Sequence, residues 1–271
     1  MTQRTLAGVL GHPVAHSLSP AIQNAAFREA GLDWHYVKLP VPPERFAEVV
    51  RALPGSGYRG ANVTIPHKLA ALDVADAASP AAQAIGAANT LTFREGTVEA
   101  DNTDAAGLVA AIGSPVDGLR VLVLGAGGAG RAAAWVMKEE GADVAVWNRT
   151  AERAEALAGE LGAEAVKQPD AGGFDLLVNA TSVGLDPGEA TEEALSALGL
   201  AGAGVPALVV DLVYRGDGSE TPVIAWARQG GARVVDGVEV LVQQGARSFE
   251  LWTGQAAPLD VMRAAARNSL P

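Results

Sequence analysis

Short apolar runs alternate with segments of helical periodicity along the first part of the chain. The pattern predicts strands at residues 4–10, 34–39 and 60–65, and helices at residues 19–30 and 42–53 and from Pro66 onward. Ser19 and Pro20 are typical of a helix N-cap and of the first helical position after it. Because strands and helices alternate, this part of the chain is expected to form a largely parallel sheet.

A second alternation of the same kind begins near Leu119. It predicts strands at residues 121–124, 143–147, 175–179 and 207–212, and helices at residues 131–140 and 151–161. Thr150 is expected to be the N-cap of the second of these helices, since its hydroxyl suits that position. Residues 184–206 carry no strand pattern and predict a loop with a short helix, whereas residues 240–252 have helical periodicity.

The composition supports an α/β protein and excludes several functions. The chain has 271 residues, 49% of them hydrophobic and 5% aromatic, which suits one large or two modest α/β domains. Its net charge of −11 argues against nucleic acid as a partner, because phosphate binding needs clustered Lys and Arg. The absence of cysteine excludes disulfides, thiol catalysis and Cys-type zinc sites, and no metal site is expected.

The sequence carries no targeting or membrane signal that we can identify. No long apolar run follows the basic residues near the N-terminus, so we expect no signal peptide. No apolar stretch approaches the roughly 18 residues of a membrane span, so we expect no membrane contact and a cytoplasmic location. We expect a monomer or a homodimer, and the sequence does not decide between them.

A glycine-rich turn stands between the first strand and the first helix of the second alternation. It matches the pattern G-x-G-x-x-G and comprises Gly125, Ala126, Gly127, Gly128, Ala129 and Gly130. The pattern alone also occurs in plain glycine turns, but here a strand precedes it and a helix and another strand follow. Glycines let backbone N–H groups reach a pyrophosphate, whose charge then faces the helix N-terminus. This context predicts a Rossmann-type dinucleotide site.

The residues after the next strand indicate which dinucleotide binds. NAD-binding proteins usually place Asp or Glu there, where the carboxylate binds the ribose 2′-hydroxyl. This chain has Asn148, Arg149 and Thr150 instead, with Arg153 one helical turn later. Guanidinium groups make charge-assisted hydrogen bonds to phosphate, so these residues favour NADP(H). Arginines unrelated to any ligand also occur at helix starts, which is the alternative interpretation.

Polar side chains collect next to tight turns in the first part of the chain. They lie in four segments, at residues 16–20, 62–68, 89–90 and 101–104. Each segment alone is typical of N-caps and Asx turns. Together they follow the carboxyl ends of predicted strands, where ligands bind in open α/β sheets. The available hydroxyls and amides, with one Lys and one Asp, suit a small polyhydroxylated acid.

These segments and the glycine turn resemble the shikimate dehydrogenase family. Nine motifs match in family order over nearly the whole chain, and the run Asn62-Val-Thr-Ile-Pro-His-Lys68 is highly specific. The motifs lie at residues 11–20, 62–68, 86–90, 101–104, 125–130, 148–150, 179–182, 211–214 and 243–252. The resemblance implies an enzyme that interconverts shikimate and 3-dehydroshikimate with NADP(H), in the biosynthesis of chorismate and the aromatic amino acids.

The resemblance also implies a fold and a division of the chain. The expected fold class is α/β, with an N-terminal mixed-sheet α/β substrate domain plus a Rossmann-type, doubly wound NADP-binding domain. The substrate domain would comprise residues 1–102 and 240–271, and the NADP-binding domain would comprise residues 103–239.

Matching motifs assign the site residues that the resemblance implies. Groups near the substrate carboxylate would be Ser17, Ser19 and Tyr214. The substrate hydroxyl groups would contact Thr64, Lys68, Asn89, Asp104 and Gln244. Besides the glycine turn, the cofactor would contact Asn148, Arg149, Thr150 and Arg153 at its adenosine phosphate end, and Thr181, Leu212, Val213 and Gly237 near its nicotinamide.

Oxidation of a secondary alcohol requires a group that takes the hydroxyl proton, and Lys68 and Asp104 are the candidates. In our hypothesis Lys68 exchanges this proton, while Asp104 orients Lys68 and an adjacent hydroxyl. A neighbouring carboxylate favours the ammonium form of a lysine, so Lys68 would alternatively act as an acid in the reducing direction or as an electrostatic stabiliser. The sequence leaves these roles open. His16 and His67 are interpreted as turn and helix-start residues.

Three other functions share part of the pattern. An NAD-using quinate/shikimate dehydrogenase would carry the same motifs, but Arg149 and Arg153 argue against it. A non-catalytic NADP sensor on the same scaffold would be expected to lack Lys68 or Asp104, and the chain has both. A Rossmann-type binding protein for another substrate would not need nine ordered motifs.

Overall fold

The structure is a computed structural model that describes residues 4–270. The chain divides into two compact units, Met1–Gly107 with Leu241–Pro271, and Leu108–Val240. The divisions predicted from the sequence, at 102/103 and 239/240, lie within five residues of these. In the structure the divisions fall inside two helices, Thr103–Ile112 and Gly237–Thr253, rather than in loops.

The first unit contains a six-stranded mixed sheet, as expected for its fold class. Its strands are β1 (Thr5–Gly11), β2 (Trp34–Pro40), β3 (Tyr58–Val63), β4 (Ala77–Ala78), β5 (Thr90–Arg94) and β6 (Thr97–Asp101). They lie in the order β2-β1-β3-β5-β6-β4. β1 pairs in parallel with β2 and β3, whereas β5 pairs antiparallel with β3 and β6.

The antiparallel part of this sheet contains a hairpin that the sequence pattern did not predict. The expectation of a largely parallel sheet is therefore wrong for β5 and β6. Arg94 pairs with Thr97, so that only Glu95 and Gly96 form the turn, and their φ values are 51° and 84°. Two-residue turns with positive φ match the twist of antiparallel strands, which explains the tight connection.

Five α-helices lie in the described residues of the first part of the chain. They are α1 (Ser19–Glu29), α2 (Phe46–Ala52), α3 (Lys68–Val74), α4 (Pro80–Ile85) and α5 (Thr103–Ile112). A 3₁₀ turn at Pro43–Arg45 precedes α2, so the helix predicted at 42–53 is present but begins with tighter winding.

The start of α1 differs from its prediction. Ser19 was expected to be the N-cap, but it is the first helical residue, and the N-cap is Leu18 with φ −84° and ψ −9°. The Ser17 hydroxyl accepts a hydrogen bond from the Ser19 N–H at 3.3 Å. The prediction is wrong because the chain already turns before Ser19.

The start of α3 also differs from its prediction. The helix begins at Lys68 rather than at Pro66. The His67 N–H donates to the Thr64 carbonyl at 2.9 Å, which closes a turn before the helix starts. His67 is therefore the N-cap residue, and Lys68 opens the first helical turn.

The second unit contains a six-stranded parallel sheet with the strand order of a doubly wound fold. Its strands are β7 (Arg120–Leu124), β8 (Asp143–Trp147), β9 (Glu164–Ala165), β10 (Leu176–Asn179), β11 (Leu208–Asp211) and β12 (Arg233–Val235). They lie in the order β12-β11-β10-β7-β8-β9. The order reverses between β7 and β10, where such sheets bind dinucleotides. The Rossmann-type prediction is confirmed.

Four helices accompany this sheet. They are α6 (Gly128–Glu139), α7 (Ala151–Leu161), α8 (Thr191–Ala197) and α9 (Pro222–Gln229). The pattern predicted that this helix begins at Arg131, but α6 begins three residues earlier, inside the glycine turn. Thr150 is the N-cap residue of α7 as predicted, but its side chain makes no capping hydrogen bond. α8 is the short helix expected within residues 184–206.

Two helices follow the second sheet. α10 (Gly237–Thr253) begins in the second unit and ends in the first, and α11 (Leu259–Asn268) packs on α1. Near the end of α10, Trp252 Nε1 donates to the Leu91 carbonyl of β5 at 3.0 Å. A Cβ on Gly60 would lie 2.2 Å from Trp252 Nε1, so β3 needs glycine where this helix reaches the sheet.

Membrane-spanning helices and metal clusters are both absent from the part of the chain that the structure describes. None of the helices within residues 4–270 has the length and apolar character needed to cross a bilayer. Within the same residues, no three His, Asp or Glu side chains come together in a way that could hold a metal ion.

Candidate active site

Lys68 and Asp104 form an ion pair at the edge of the first sheet. Lys68 is the first residue of α3, and Asp104 lies in the first turn of α5. Lys68 Nζ lies 2.5 Å from Asp104 Oδ2, and the two side chains are 15% and 18% exposed. The pair is thus largely shielded from water but still open to a small ligand.

Asn89 fixes the orientation of this pair. Its side-chain amide donates to Asp104 Oδ1 at 2.7 Å and to Thr103 Oγ1 at 3.0 Å. Its side-chain oxygen accepts from the Thr103 N–H at 2.7 Å. Asn89 is 2% exposed, so these contacts are not open to water. Asp104 therefore uses one oxygen for Asn89 and the other for Lys68.

Behind Asn89 lies a buried polar network that the sequence did not predict as a unit. Ser248 Oγ lies 3.0 Å from Thr90 Oγ1 and 3.2 Å from Thr103 Oγ1, and it accepts from the Asn62 amide at 2.8 Å. Tyr36 donates its hydroxyl to Asn62 Oδ1 at 2.8 Å. The network joins β2, β3, β5, α5 and α10, and satisfied buried polar groups of this kind hold a rigid arrangement.

Gln244 reaches the same cluster from α10. Its Oε1 accepts from the Asn89 amide at 3.3 Å, and its Nε2 donates to the Leu241 carbonyl at 2.8 Å. A Cβ on Gly107 would lie 2.6 Å from the Gln244 backbone nitrogen, so the glycine lets α10 approach α5 closely. The sequence motifs predicted Gln244 as a site residue, but no sequence feature indicated that α10 packs so closely on α5.

Ser17, Ser19 and Thr64 follow the carboxyl ends of two neighbouring strands. Ser17 and Ser19 are 8% and 6% exposed and lie where α1 begins, after β1. Thr64 is half-buried after β3, and its backbone N–H donates to the Leu10 carbonyl of β1 at 2.9 Å. Since β1 and β3 are paired, these hydroxyls lie along one edge of the first sheet.

The two histidines near this edge, His16 and His67, are interpreted as structural residues. His67 is 2% exposed, contacts the Val41 carbonyl through Nε2 at 2.7 Å and stacks on Phe46 with ring centroids 4.4 Å apart. Burial lowers the pKa of His67, against the opposing effect of its backbone hydrogen bond. Burial also lowers the pKa of His16, with a further contribution from the charge of Lys38. Both histidines therefore favour the neutral form.

The glycine turn of the second unit leaves open space above the start of α6. Gly125 has φ 109°, and a Cβ on Gly130 would lie 2.0 Å from the Gly125 carbonyl oxygen, so both glycines are needed for the turn itself. A Cβ on Gly127 would meet no atom within 4 Å. Gly127 therefore borders free space at a helix N-terminus, where backbone N–H groups attract anions.

The end of β8 presents an amide and two guanidinium groups. Asn148 Oδ1 accepts from the Ala126 N–H at 3.2 Å, and its amide donates to the Thr150 carbonyl at 2.9 Å. Arg149 and Arg153 are exposed, and neither guanidinium has a hydrogen bond or an ion pair with any residue between 4 and 270. Both cations are thus available to an anionic ligand beside the glycine turn.

Thr181 follows the end of β10, and Val213 follows the end of β11 and lies beside Gly237. Thr181 donates from its hydroxyl to Asn179 Oδ1 at 2.8 Å. A Cβ on Gly237 would lie 2.5 Å from the Val213 carbonyl oxygen, which requires glycine at the start of α10. Tyr214 continues the same segment, so it lies in the second unit, unlike the other predicted substrate residues.

Asp211 is a buried carboxylate that the sequence analysis did not single out. It ends β11, is 0% exposed, and accepts from Asn179 Nδ2 at 2.9 Å, from the Val213 N–H at 3.0 Å and from Thr221 Oγ1 at 2.5 Å. Burial raises the pKa of Asp211 to about 6, although these three donors and Arg215 oppose the shift. A polar residue at the carboxyl end of a buried strand is the signal that could have identified it.

Asp211 is expected to make the free energy of unfolding rise as the pH falls from about 7 to about 5. Its pKa of about 6 lies above the ordinary 3.8, so between these values the folded chain binds more protons than the unfolded chain. Relative to an Asp211→Asn variant, the wild-type chain should gain about 1 kcal/mol over this range. Urea unfolding of both chains measures the difference, and a difference independent of pH would contradict the prediction.

Three family models match successive parts of the chain. Residues 9–91 match the shikimate dehydrogenase substrate binding domain. Residues 108–182 match shikimate / quinate 5-dehydrogenase, and residues 237–267 match the shikimate 5′-dehydrogenase C-terminal domain. Together these matches cover more than half of the chain.

Curated relatives and solved structures agree with the family models. A shikimate dehydrogenase (NADP(+)) of Thermus thermophilus is 46% identical over 269 residues, 97% of each chain. Another, of Methanothermobacter thermautotrophicus, is 41% identical over 276 residues, 97% of this chain and 96% of that one. The crystal structure of a shikimate 5-dehydrogenase from Thermus thermophilus, in complex with NADP(H) and shikimate, has a TM-score of 0.86 at 42% identity, over 98% of this chain and 100% of that chain.

The strand order of the second sheet, the open glycine turn and the ion pair in the first unit define a class of protein. They are typical of α/β oxidoreductases that use a dinucleotide cofactor. The similarity extends over nearly the full length of the relatives. The chain belongs to the shikimate dehydrogenase family.

Proposed function

We propose that the chain oxidises shikimate to 3-dehydroshikimate with NADP⁺, and catalyses the reverse reduction, in the biosynthesis of aromatic amino acids. The Lys68–Asp104 pair carries this proposal, because it puts an ammonium and a carboxylate 2.5 Å apart at the strand ends of the first unit. Hydroxyl and amide groups surround the pair and could bind the hydroxyls of a small ring acid. The substrate domain would be the unit that contains this pair, and the NADP-binding domain would be the other.

The substrate carboxylate would bind at the start of α1. Ser17 and Ser19 offer hydroxyls beside a helix N-terminus, where negative charge is favoured without an arginine. Tyr214 would contribute its hydroxyl near the same carboxylate. The ring hydroxyls would contact Thr64, Asn89 and Gln244 in addition to Lys68 and Asp104. An analogue that lacks one hydroxyl would leave these buried groups unpaired and would be rejected.

The donor groups of the second unit fit NADP(H). The free space at Gly127 leaves room for a pyrophosphate at the start of α6. Arg149 and Arg153 would hold the 2′-phosphate, and the strand β8 is followed by Asn148 rather than by an acidic residue that would repel it. The nicotinamide end would lie near Thr181, Leu212, Val213 and Gly237, at the ends of β10 and β11.

Lys68 would manage the proton of the reaction. Bound NADP⁺ supplies the chemistry of hydride acceptance from the carbon that bears the reacting hydroxyl. The hydroxyl proton must also leave, and Lys68 would take it after its ammonium has lost a proton to water. In the reducing direction the Lys68 ammonium would donate a proton to the carbonyl oxygen. Asp104, held by Asn89, would keep the lysine side chain pointed at that oxygen.

The chain would prefer NADP to NAD and shikimate to quinate. The free guanidinium groups of Arg149 and Arg153 have no use with a cofactor that lacks the 2′-phosphate. An NAD-using quinate/shikimate dehydrogenase is therefore the less favoured function. A cytoplasmic location and a monomeric or homodimeric state stay predictions from the sequence.

Product analysis tests the proposed function. The purified chain should convert shikimate and NADP⁺ into equal molar amounts of 3-dehydroshikimate and NADPH, separated and measured by chromatography. The reverse reaction, started with 3-dehydroshikimate and NADPH, should restore shikimate. If neither direction gives product while the chain is folded, the proposal is wrong.

A methyl group at Gly127 is expected to weaken cofactor binding without destabilising the fold. Its φ of −83° suits any residue, and a Cβ there would touch nothing within 4 Å. Gly127→Ala should raise the NADP⁺ dissociation constant about tenfold or more, because the backbone at this glycine must approach the pyrophosphate. Equilibrium dialysis measures the affinity and urea unfolding the stability. Gly159→Ala, also in open space, is the control, and unchanged affinity in Gly127→Ala would contradict the prediction.

A further inference from the structure

Asp211 joins its own segment, at the end of β11, to two other segments of the second unit. Asn179 ends β10, Val213 lies in the segment after β11, and Thr221 is the N-cap of α9. Each of these residues donates one hydrogen bond to the Asp211 carboxylate, within 2.5 to 3.0 Å. The carboxylate thus holds the ends of β10 and β11, two of the three strands beyond the reversal of strand order.

The segments that Asp211 holds are in contact with the glycine turn and with the start of α10. Asn179 also accepts from the backbone and the hydroxyl of Thr181, at 3.2 and 2.8 Å. A Cβ on Gly125 would lie 2.9 Å from the Ala180 carbonyl, and a Cβ on Gly237 would lie 2.5 Å from the Val213 carbonyl. A shift of either segment would therefore be transmitted to backbone that borders the cofactor site.

In a doubly wound sheet the two halves of a dinucleotide lie on opposite sides of the strand reversal. Arg149 and Arg153 follow β8, on one side of it. Asp211 ends β11, on the other side, so its three donors belong to the half that would receive the nicotinamide. A change at Asp211 should therefore affect the nicotinamide end of the cofactor, whereas a change at Arg149 or Arg153 should affect the adenosine end.

We propose that Asp211 is a positioning residue, whose ionised carboxylate fixes the backbone at 179–181 and 212–213 for the nicotinamide end of NADP(H). This inference rests on the proposed function, since it takes the cofactor from there. Asp211 itself is 0% exposed and would act only through the segments it holds.

A carboxylate suits this position better than an amide. All three groups that face Asp211 are donors, and an ionised carboxylate is an acceptor only. An asparagine that kept its oxygen on Asn179 and Val213 would turn its N–H group toward Thr221 Oγ1, which already accepts from the Ile224 N–H. Arg215 is the charged group that favours the ionised form. Its guanidinium donates to the backbone carbonyls of Gly184, Asp186 and Glu220.

Binding of whole and partial cofactor tests the proposal without turnover. The Asp211→Asn variant and the wild-type chain are titrated with NADP⁺ and with adenosine 2′,5′-bisphosphate, which carries the 2′-phosphate but no nicotinamide. We expect the variant to bind NADP⁺ about tenfold more weakly and the fragment within about twofold of wild type. Because both ligands carry the 2′-phosphate, the ratio of their dissociation constants is not affected by its titration.

The steady-state kinetics should show a matching pattern. In Asp211→Asn, kcat should fall and the KM for NADP⁺ should rise, each about tenfold, while the KM for shikimate changes by no more than about threefold. Equal weakening of NADP⁺ and of the fragment would assign Asp211 a general structural role and overturn the proposal. Unchanged NADP⁺ binding would overturn it as well.

A second pair of variants keeps the test decisive if Asp211→Asn does not fold. Thr221→Val removes one donor to Asp211, whereas Thr221→Ser keeps the hydroxyl. We expect weaker NADP⁺ binding, by about threefold, with unchanged fragment binding in Thr221→Val only. The same result in both variants, or in neither, would contradict the proposal. A chain that bound NADP⁺ but did not oxidise shikimate would refute the proposed function and leave this comparison intact.

Discussion

Replacing Lys68 with alanine is expected to lower kcat for shikimate oxidation by roughly 100-fold or more. The variant removes the ammonium that lies 2.5 Å from Asp104 Oδ2 and, with it, the group proposed to exchange the proton. Asn89 still holds Asp104 in place, so the substrate site should otherwise stay formed. The KM for NADP⁺ should stay within about threefold of wild type, because Lys68 belongs to the first unit.

A second substitution at Lys68 and a control variant test whether Lys68 exchanges a proton or only supplies a positive charge. Lys68→Arg keeps the positive charge, but a guanidinium does not deprotonate in proteins, so its kcat should be as low as that of Lys68→Ala. Lys167→Ala removes an exposed lysine of the second unit and should match wild type. A normal kcat with a raised KM for shikimate in Lys68→Ala would assign Lys68 to binding alone.

Replacing Arg149 and Arg153 together with glutamine is expected to raise the KM for NADP⁺ by roughly 100-fold or more. Each guanidinium would lose a charge-assisted hydrogen bond to the 2′-phosphate, and such bonds to charged groups contribute about 1.5 to 3 kcal/mol each. The KM for NAD⁺, which has no 2′-phosphate, should change by no more than about threefold. Initial rates with both cofactors at saturating shikimate measure the effect.

A control for the double Arg149 and Arg153 variant removes two positive charges from the first unit instead. Arg28 and Arg51 are exposed on α1 and α2 of the first unit, and replacing both with glutamine gives the same net charge. The control should keep its preference for NADP⁺. Equal effects of the Arg149 and Arg153 replacements on NADP⁺ and NAD⁺ would refute the proposed phosphate contacts.

Local signals predicted most of the second unit. Four buried apolar strands and a glycine turn between a strand and a helix define a Rossmann-type sheet without knowledge of long-range contacts. The hairpin β5–β6 was missed, because its turn contains Glu95 with positive φ, which is uncommon for a residue other than Gly, Asn or Asp. Helix starts were misplaced at Ser19 and Pro66, where turns precede the helices.

The candidate site was predicted only in part, because its supporting contacts join distant parts of the chain. The motifs named Lys68, Asp104 and Asn89, but not the network behind them. Asn62 and Ser248, which share a hydrogen bond, are 186 residues apart. No periodicity or spacing brings such residues together before the fold is known. The same reason explains why Asp211 was seen only as part of a motif.

The relative kcat/KM of four pairs of substrate and cofactor distinguishes the proposed reaction from its alternatives. The purified chain is assayed for cofactor reduction with shikimate or quinate, each combined with NADP⁺ or NAD⁺. We expect shikimate with NADP⁺ to have the highest kcat/KM, and exchanging either partner to lower it about tenfold or more. A higher kcat/KM for quinate or for NAD⁺, or no reduction with any pair, would contradict this prediction.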